Sequence, residues 1–116
     1  MDAQQCIVTR RSVRKFADRP VPHELLEQVV ALAAYAPSWK NTQISRYIAI
    51  EDPAVRETIA AEYCLPGANN PAIIRSCPLL VAQTFVKARS GYERDGTYTT
   101  DREDGWQYYD CGIAAQ

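Results

Sequence analysis

The chain has 116 residues, a mass of 13.0 kDa and a net charge of −1, from thirteen basic and fourteen acidic side chains. This length suits a single domain, and a composition of 47% hydrophobic and 23% charged residues excludes wholesale disorder. The near-neutral charge disfavours a general attraction to nucleic acid or to anionic membranes, and no apolar stretch approaches the roughly 18 residues of a membrane span. We therefore expect one cytoplasmic domain over residues 1–116, with no nucleic-acid or membrane partner.

Apolar periodicity and breaker residues predict a mixture of helices and strands. Apolar side chains at helical spacing indicate helices, and short apolar or alternating runs between turn signals indicate strands. In chain order, the predicted elements are a weak helix over residues 2–10, a helix with one buried face over 22–35, a strand over 46–51, a short helix after Asp52, a brief helix over 70–75, a buried strand over 79–86 and a helix from 106 onward.

Local signals indicate where some of these elements begin. Pro22 suits the first position of a helix, because its backbone angle is already helical and no donor is needed there. Asp52 precedes a proline and is predicted to cap the next helix. Val55, Ile59 and Tyr63 then mark one apolar face of that helix.

Residues 88–104 predict a long surface loop. They are polar, and they carry a net acidic charge toward their end. Because long loops are uncommon in compact domains and often have a function, this segment is of functional interest.

The final predicted helix has no glycine or proline stop signal before the last residue. From Trp106 onward, Tyr109, Gly112, Ile113 and Gln116 lie at helical spacing, and apolar residues are still accumulating where the sequence stops. We expect that the domain is incomplete at this point, and the alternative is a short terminal helix with a frayed tail.

The cysteines and the single histidine give no signal for a metal site. Cysteines occur far apart, at Cys6, Cys64, Cys77 and Cys111, and no two have the short spacing of a zinc site. A secreted disulfide scaffold would be denser in cysteine, so we expect reduced, mostly buried thiols. His23 follows a proline at a helix start and is predicted to lie at the surface, which makes a catalytic triad hard to build.

A basic segment, residues 10–14, has the sequence Arg-Arg-Ser-Val-Arg. Three guanidinium groups and a hydroxyl can surround a phosphate, since arginine forks donate paired charge-assisted hydrogen bonds and serine adds another. Such a cluster is also typical of a solvated basic turn, and a localisation or nucleic-acid patch is a further option. On its own, the segment leaves these interpretations open.

A polar loop, residues 36–43, lies between the second predicted helix and the first predicted strand and reads Ala-Pro-Ser-Trp-Lys-Asn-Thr-Gln. Its serine, asparagine and glutamine surround one tryptophan. That combination suits a planar heteroaromatic ligand, whose edges need hydrogen bonds and whose face needs an apolar partner. The alternative is a polar loop with Trp39 folded back onto the core.

Taken together and in this order, the two segments resemble the nitroreductase family of FMN-dependent oxidoreductases. The basic segment, continued by Lys15 and Phe16, is similar to the family's Arg-Arg-Ser-x-Arg-x-Phe opening, and the polar loop is similar to its Ala-Pro-Ser-x-x-Asn-x-Gln. Residues 77–81 resemble a later strand entry. Residues 110–116 resemble the family's interface helix, Asp-x-Gly-x-Ala-x-Gln, so the resemblance covers essentially the whole chain.

The resemblance implies a fold and an assembly. It implies an α+β fold with three α/β/α layers, in which helices flank a mostly antiparallel central sheet and dimerisation completes the domain. The protein would be a homodimer with the flavin at its interface. Since the family continues with further strands and a late basic pair, the chain would be the N-terminal portion of such a domain.

The resemblance also implies which residues bind FMN. Its phosphate and ribityl chain would be held by Arg10, Arg11, Ser12 and Arg14. The isoalloxazine ring, bound mainly by the other subunit, would be reached by Pro37, Ser38, Trp39 and Asn41. Asn69 matches a family asparagine near the pyrimidine edge, with Asn70 as the competing match. No catalytic side chain and no metal ligand is implied.

The activity that the resemblance implies is hydride transfer from NADH or NADPH to flavin N5 and then to a nitroaromatic, quinone or similar small acceptor. Because both substrates would use one site, the kinetics would be ping-pong. Trp39 and Lys40 stand where family members often have small residues, which would narrow the pocket. The alternatives are a flavin reservoir or sensor without turnover, a nucleic-acid binder with a basic arm, and a relative that fragments the flavin.

Overall fold

The computed structural model describes residues 2–116, and its elements follow the predicted order. The helices are α1 (Ala3–Thr9), α2 (His23–Ala33), α3 (Pro53–Glu62), α4 (Asn70–Ser76) and α5 (Gly105–Ala115). The strands are β1 (Ser45–Ile50) and β2 (Leu80–Phe85), and a 3-10 turn covers Trp39–Asn41. Pro22 is the N-cap of α2 rather than its first residue. Among the described residues, no helix combines the length and the apolar character needed to cross a membrane.

The chain forms two compact units. The first, here called the basic unit, comprises the residues up to Arg19 together with Glu51–Pro78. The second, the sheet unit, comprises Pro20–Ile50 together with Leu79–Gln116. The basic unit therefore holds α1, α3 and α4, and the sheet unit holds α2, α5 and both strands.

Side chains cap two helices of the basic unit. The Asp2 carboxylate accepts a hydrogen bond from the backbone N–H of Gln5, and the Gln5 side chain accepts one from the backbone N–H of Asp2 in return. Asp52 caps α3 as predicted, since its Oδ1 lies 2.8 Å from the backbone nitrogen of Ala54. These contacts satisfy helix-end N–H groups that have no partner within the helix.

The apolar face predicted for α3 is not its buried face. Val55 is 45% exposed and Tyr63 is 75% exposed, whereas Arg56 and Ala60 are buried. The helix ends at Glu62, so Tyr63 lies beyond it, and Ile59 is partly buried. The buried Arg56 guanidinium donates to the backbone carbonyls of residues 51 and 78.

An ion pair joins α3 to α4 at the surface of the basic unit. Both contacts between the Arg75 guanidinium and the Glu57 carboxylate measure 2.8 Å. The bidentate geometry holds the pKa of Glu57 below its usual value, chiefly through the hydrogen bonds from Arg75. Because both side chains are exposed, the pair orients the two helices more than it stabilises the fold.

The sheet unit is built on an antiparallel pair of strands. The register runs from Ser45 opposite Phe85 to Ile50 opposite Leu80. Helix α5 contacts both strands, and its Tyr108 ring meets Phe85 edge to face at 5.6 Å between centroids. Ile44, immediately before β1, is almost completely buried.

Two predictions of burial in this unit are wrong. Strand β2 was expected to be buried but is only half-buried, because it belongs to a two-stranded sheet. Helix α2 has no fully buried residue. Its inward side chains, Leu26 and Val30, line an open groove instead of meeting a packed layer.

The four cysteines are free thiols, and all lie among the described residues. The expectation that they are mostly buried is wrong, because Cys6 is exposed and only Cys77 is buried. His23 is exposed at the start of α2, as predicted.

Candidate functional site

The basic segment leaves α1 as exposed, extended chain. Arg10 is the C-cap of α1, and every residue from 10 to 14 is exposed. The Arg11 guanidinium donates to the carbonyls of Val8, at 3.0 Å, and Arg10, at 2.8 Å. Arg14 donates to the carbonyl of Ser12 at 3.4 Å. These contacts are local, so the segment presents its guanidinium groups and its hydroxyl at the surface.

Asn69 also lies in the basic unit, immediately before α4. It is exposed, and within the described residues its side chain makes no capping hydrogen bond to the helix. Its amide is therefore available to a ligand. Asn70, the competing match, is the first residue of α4.

The polar loop belongs to the sheet unit and has an unusual backbone. Lys40, Asn41 and Gln43 have φ angles of 45°, 52° and 48°. This left-handed region disfavours residues that have a Cβ atom, and such conformations cluster at functional sites when the surroundings hold them. Of the four predicted loop residues, Trp39 and Asn41 lie on this turn, and Pro37 and Ser38 directly precede it.

Contacts within the polar loop maintain this conformation. Ser38 Oγ accepts a hydrogen bond from the backbone N–H of Gln43 at 2.9 Å, which closes the loop on itself. Thr42 Oγ1 donates to the carbonyl of Trp39 at 2.9 Å. Lys40 Nζ lies 4.4 Å from the centroid of the Trp39 ring, within the range of a cation–π contact.

A further contact joins the polar loop to residues 88–104, the loop predicted from its length to have a function. Lys40 Nζ lies 3.2 Å from Glu93 Oε1. Both side chains are about half exposed, so this ion pair is weak.

Two grooves of the sheet unit open beside the polar loop. The first has a volume of about 680 Å³ and is mainly apolar, and it is lined by Pro37, Ser38 and Gln43 of the loop together with residues of α2, β1 and α5. The second has a volume of about 720 Å³ and is more polar, and it is lined by residues 39–42 together with residues of the loop 88–104. Both volumes lie in the range of small-molecule sites.

Two side chains that support loops of the sheet unit were not singled out from the sequence: Asp110 contacts the polar loop, and Gln107 contacts the loop 88–104. Asp110 and Gln107 are both buried on α5. Asp110 accepts a hydrogen bond from the backbone N–H of Trp39, and Gln107 accepts one from the backbone N–H of Ala88. The available signal was two polar residues three positions apart in an otherwise apolar and aromatic helix, a spacing that places them on one face.

The predicted site residues fall into two groups. The basic segment and Asn69 belong to the basic unit, and the polar loop belongs to the sheet unit. The basic segment offers cations and a hydroxyl, Asn69 offers an amide, and the polar loop offers hydroxyls, amides and an aromatic ring.

Comparison with known proteins decides the family. The model of the nitroreductase family matches residues 7–116. The chain belongs to the nitroreductase family. The match includes both the basic segment and the polar loop.

The relatives of this nitroreductase-family chain agree with that assignment. A protein of Methanothermobacter thermautotrophicus, provisionally named NADH dehydrogenase/NAD(P)H nitroreductase, is 36% identical over the whole chain. The chain spans about half of that relative, 52% of its length.

Solved structures show that the chain has the fold of this family. A nitroreductase family protein from Clostridium novyi has a TM-score of 0.76 and 21% identity, and the match covers 99% of this chain and 60% of that one. A nitroreductase from Desulfovibrio desulfuricans, solved in complex with FMN, has a TM-score of 0.67 and 21% identity, covering 97% of this chain and 57% of that one. The α+β fold expected from the resemblance is confirmed.

Proposed function

We propose that this protein is an FMN-dependent oxidoreductase that transfers hydride from NADH or NADPH to a nitroaromatic, quinone or similar small acceptor by a ping-pong mechanism. It works in the cytoplasm as a homodimer with the flavin at the subunit interface. The observation that carries the proposal is the exposed basic segment, three arginines and a serine, at the start of a chain of the nitroreductase family.

The donors of the basic segment fit the phosphate of FMN. The groups that would hold it are the side chains of Arg10, Arg11, Ser12 and Arg14. Their contacts in the structure are to local backbone carbonyls, and a phosphate dianion is a far stronger acceptor for a guanidinium than a carbonyl is. An anion would therefore displace these contacts at little cost.

The polar loop fits the ring system of FMN. An isoalloxazine has a polar pyrimidine edge and a flat apolar face, so it needs donors, acceptors and an apolar or aromatic partner. Ser38 and Asn41 would supply the donors and acceptors, and Pro37 and Trp39 would supply the apolar and aromatic surfaces. Asn69 would add an amide at the pyrimidine edge. The FMN complex of the Desulfovibrio desulfuricans nitroreductase supports this choice of cofactor.

In this proposal, the side chains of the protein bind and orient the cofactor and take no part in the chemical reaction themselves. When bound, FMN supplies the two-electron chemistry, and the protein supplies orientation and electrostatics. We assign no side chain as a general acid or base. Trp39 and Lys40, with the Lys40–Glu93 ion pair beside them, border the polar groove and would restrict the size of the acceptor.

An anaerobic titration tests turnover. The full-length protein is incubated with FMN, desalted, and titrated without oxygen with NADH and separately with NADPH. We expect the visible flavin bands to bleach with at least one nucleotide and to return when a nitroaromatic or a quinone is added. Bands that persist with both nucleotides would contradict the proposal and identify a flavin reservoir or sensor.

A further inference from the structure

A buried carboxylate outside the proposed flavin contacts supports the polar loop. Asp110 on α5 is only 3% exposed. The backbone nitrogen of Trp39 lies 3.1 Å from its Oδ1 and 3.2 Å from its Oδ2. Ser90 Oγ donates to Oδ2 at 2.6 Å, and Ser90 is fully buried. One carboxylate thus joins the polar loop, the loop 88–104 and α5.

These contacts are strong enough to fix the position of the polar loop. A carboxylate is costly to bury unless hydrogen bonds replace its water, and both of these bonds are charge-assisted. The distance of 2.6 Å between Ser90 Oγ and Asp110 Oδ2 is typical of a charge-assisted hydrogen bond from a hydroxyl to a carboxylate. The arrangement therefore ties the position of Trp39 to that of α5.

The Trp39 N–H needs such a partner. Trp39 is the first residue of the 3-10 turn, and the first N–H groups of a helical turn have no acceptor within it. The side chain of the preceding residue, Ser38, makes no capping hydrogen bond to the described part of the turn. Its Oγ accepts a hydrogen bond from the backbone N–H of Gln43 instead. The Asp110 carboxylate, on α5, accepts the hydrogen bond from the Trp39 N–H and so caps the turn.

The backbone of the polar loop also needs an external support. Lys40, Asn41 and Gln43 all have left-handed φ angles, and non-glycine residues keep such angles only where their surroundings fix them. The Asp110 contact is made at the residue just before this strained stretch. Its loss would let the turn relax and would move Ser38 and Asn41.

We propose that Asp110 is a positioning residue that, through the Trp39 N–H, holds the polar loop in the conformation that meets the flavin. Ser90 holds the carboxylate in turn. The inference rests on the proposed function, because it assigns the polar loop to the flavin. Asp110 acts through the loop and not on the cofactor.

The test uses two measurements, one of which needs no flavin. Trp106→Phe leaves Trp39 as the single tryptophan of residues 1–116, and any tryptophan outside them is likewise replaced by phenylalanine. Acrylamide quenching of the remaining fluorescence then reports on the polar loop. FMN affinity is measured separately by equilibrium titration. The variants of the full-length protein are Asp110→Ala, Asp110→Asn and Ser90→Ala. Gln107→Ala is the matched control, because Gln107 is buried on the same face of α5 and its hydrogen bonds go to residues 88 and 104.

We expect Asp110→Ala to increase the quenching of Trp39 and to weaken FMN binding about tenfold or more. Asp110→Asn should lie between this variant and wild type, because its amide oxygen still accepts from the Trp39 N–H. Ser90→Ala should give a smaller change in the same direction. If Asp110→Ala does not melt cooperatively, the results for Asp110→Asn and Ser90→Ala decide the test. Gln107→Ala should leave both measurements near wild type.

Unchanged quenching in the Asp110 variants would overturn the inference, and so would an equal effect of Gln107→Ala, which would mean general loosening of α5. Increased quenching with unchanged FMN affinity would overturn the link to the flavin. Failure of the wild-type protein to bind FMN would instead contradict the proposed function, and the quenching would still decide whether Asp110 holds the loop.

Discussion

Replacing Arg10 or Arg14 by alanine should weaken FMN binding by about 10- to 150-fold in each case, from the roughly 1.5–3 kcal/mol of one hydrogen bond to a charged group. Both side chains are exposed on extended chain, so their removal would delete the proposed phosphate contacts without leaving a cavity. The fold should be retained, and thermal melting of each variant checks this. Equilibrium titration followed by flavin fluorescence measures the affinity.

Lys15→Ala is the matched control for these variants. Lys15 belongs to the same exposed basic run and carries the same charge, but it stands outside the set assigned to the phosphate. A general effect of positive charge would lower affinity in all three variants and would weaken with added salt. Affinities that are unchanged in both arginine variants would show that the basic segment does not bind the phosphate.

Mixing two variants of low activity should restore activity if the flavin bridges two subunits. Arg10→Ala damages the phosphate contact and Asn41→Ala damages the polar loop, and each homodimer carries two defective sites. A heterodimer formed by subunit exchange has one site with both defects and one site that is intact. Because catalysis needs the anchor and the ring contact at once, each exchanged dimer should approach about half of the wild-type activity while the parents stay low.

The control for this experiment is exchange between two Arg10→Ala preparations with different tags, which verifies mixing without creating an intact site. Recovery should track the fraction of heterodimer measured by sequential tag purification. If heterodimer forms and activity stays at the level of the parents, the basic segment and the polar loop serve the flavin of the same subunit, or neither contacts it.

Local signals in the sequence were sufficient to predict the order of helices and strands. Asp52 before Pro53 predicts a helix start from two adjacent residues, and the structure confirms the cap. Pro66-Gly67 is a sequence typical of a turn, and the structure has a turn there in which Gly67 has a φ of +76°, an angle that glycine adopts readily. Each of these features depends on the backbone of a few neighbouring residues, so a single sequence contains the necessary information.

Burial and long-range support could not be predicted in the same way. The burial of Arg56 on α3 could not be predicted, because periodicity treats arginine as polar and exposed, whereas Arg56 buries its stem and reaches two carbonyls. The contact from Asp110 to Trp39 joins residues 71 positions apart. No spacing rule connects them, and the strained angles that make the contact necessary depend on the folded loop.

The assignment of the candidate site came from two motifs read together. The basic segment alone is compatible with a solvated turn, and the polar loop alone is compatible with Trp39 packed on the core. In the structure Trp39 is partly exposed and borders a groove, with Lys40 against its ring. The roles of the individual residues toward FMN remain predictions that the titrations decide.

Equilibrium titration of the full-length wild-type protein with FMN and with riboflavin tests the central claim most directly, because the two ligands differ only in the phosphate. The proposed ring contacts of the polar loop are common to both ligands, while the proposed phosphate contacts of the basic segment exist only with FMN. Two or more charge-assisted contacts predict that FMN binds at least about 100-fold more tightly than riboflavin. Equal affinities, or no binding of either ligand, would contradict the account.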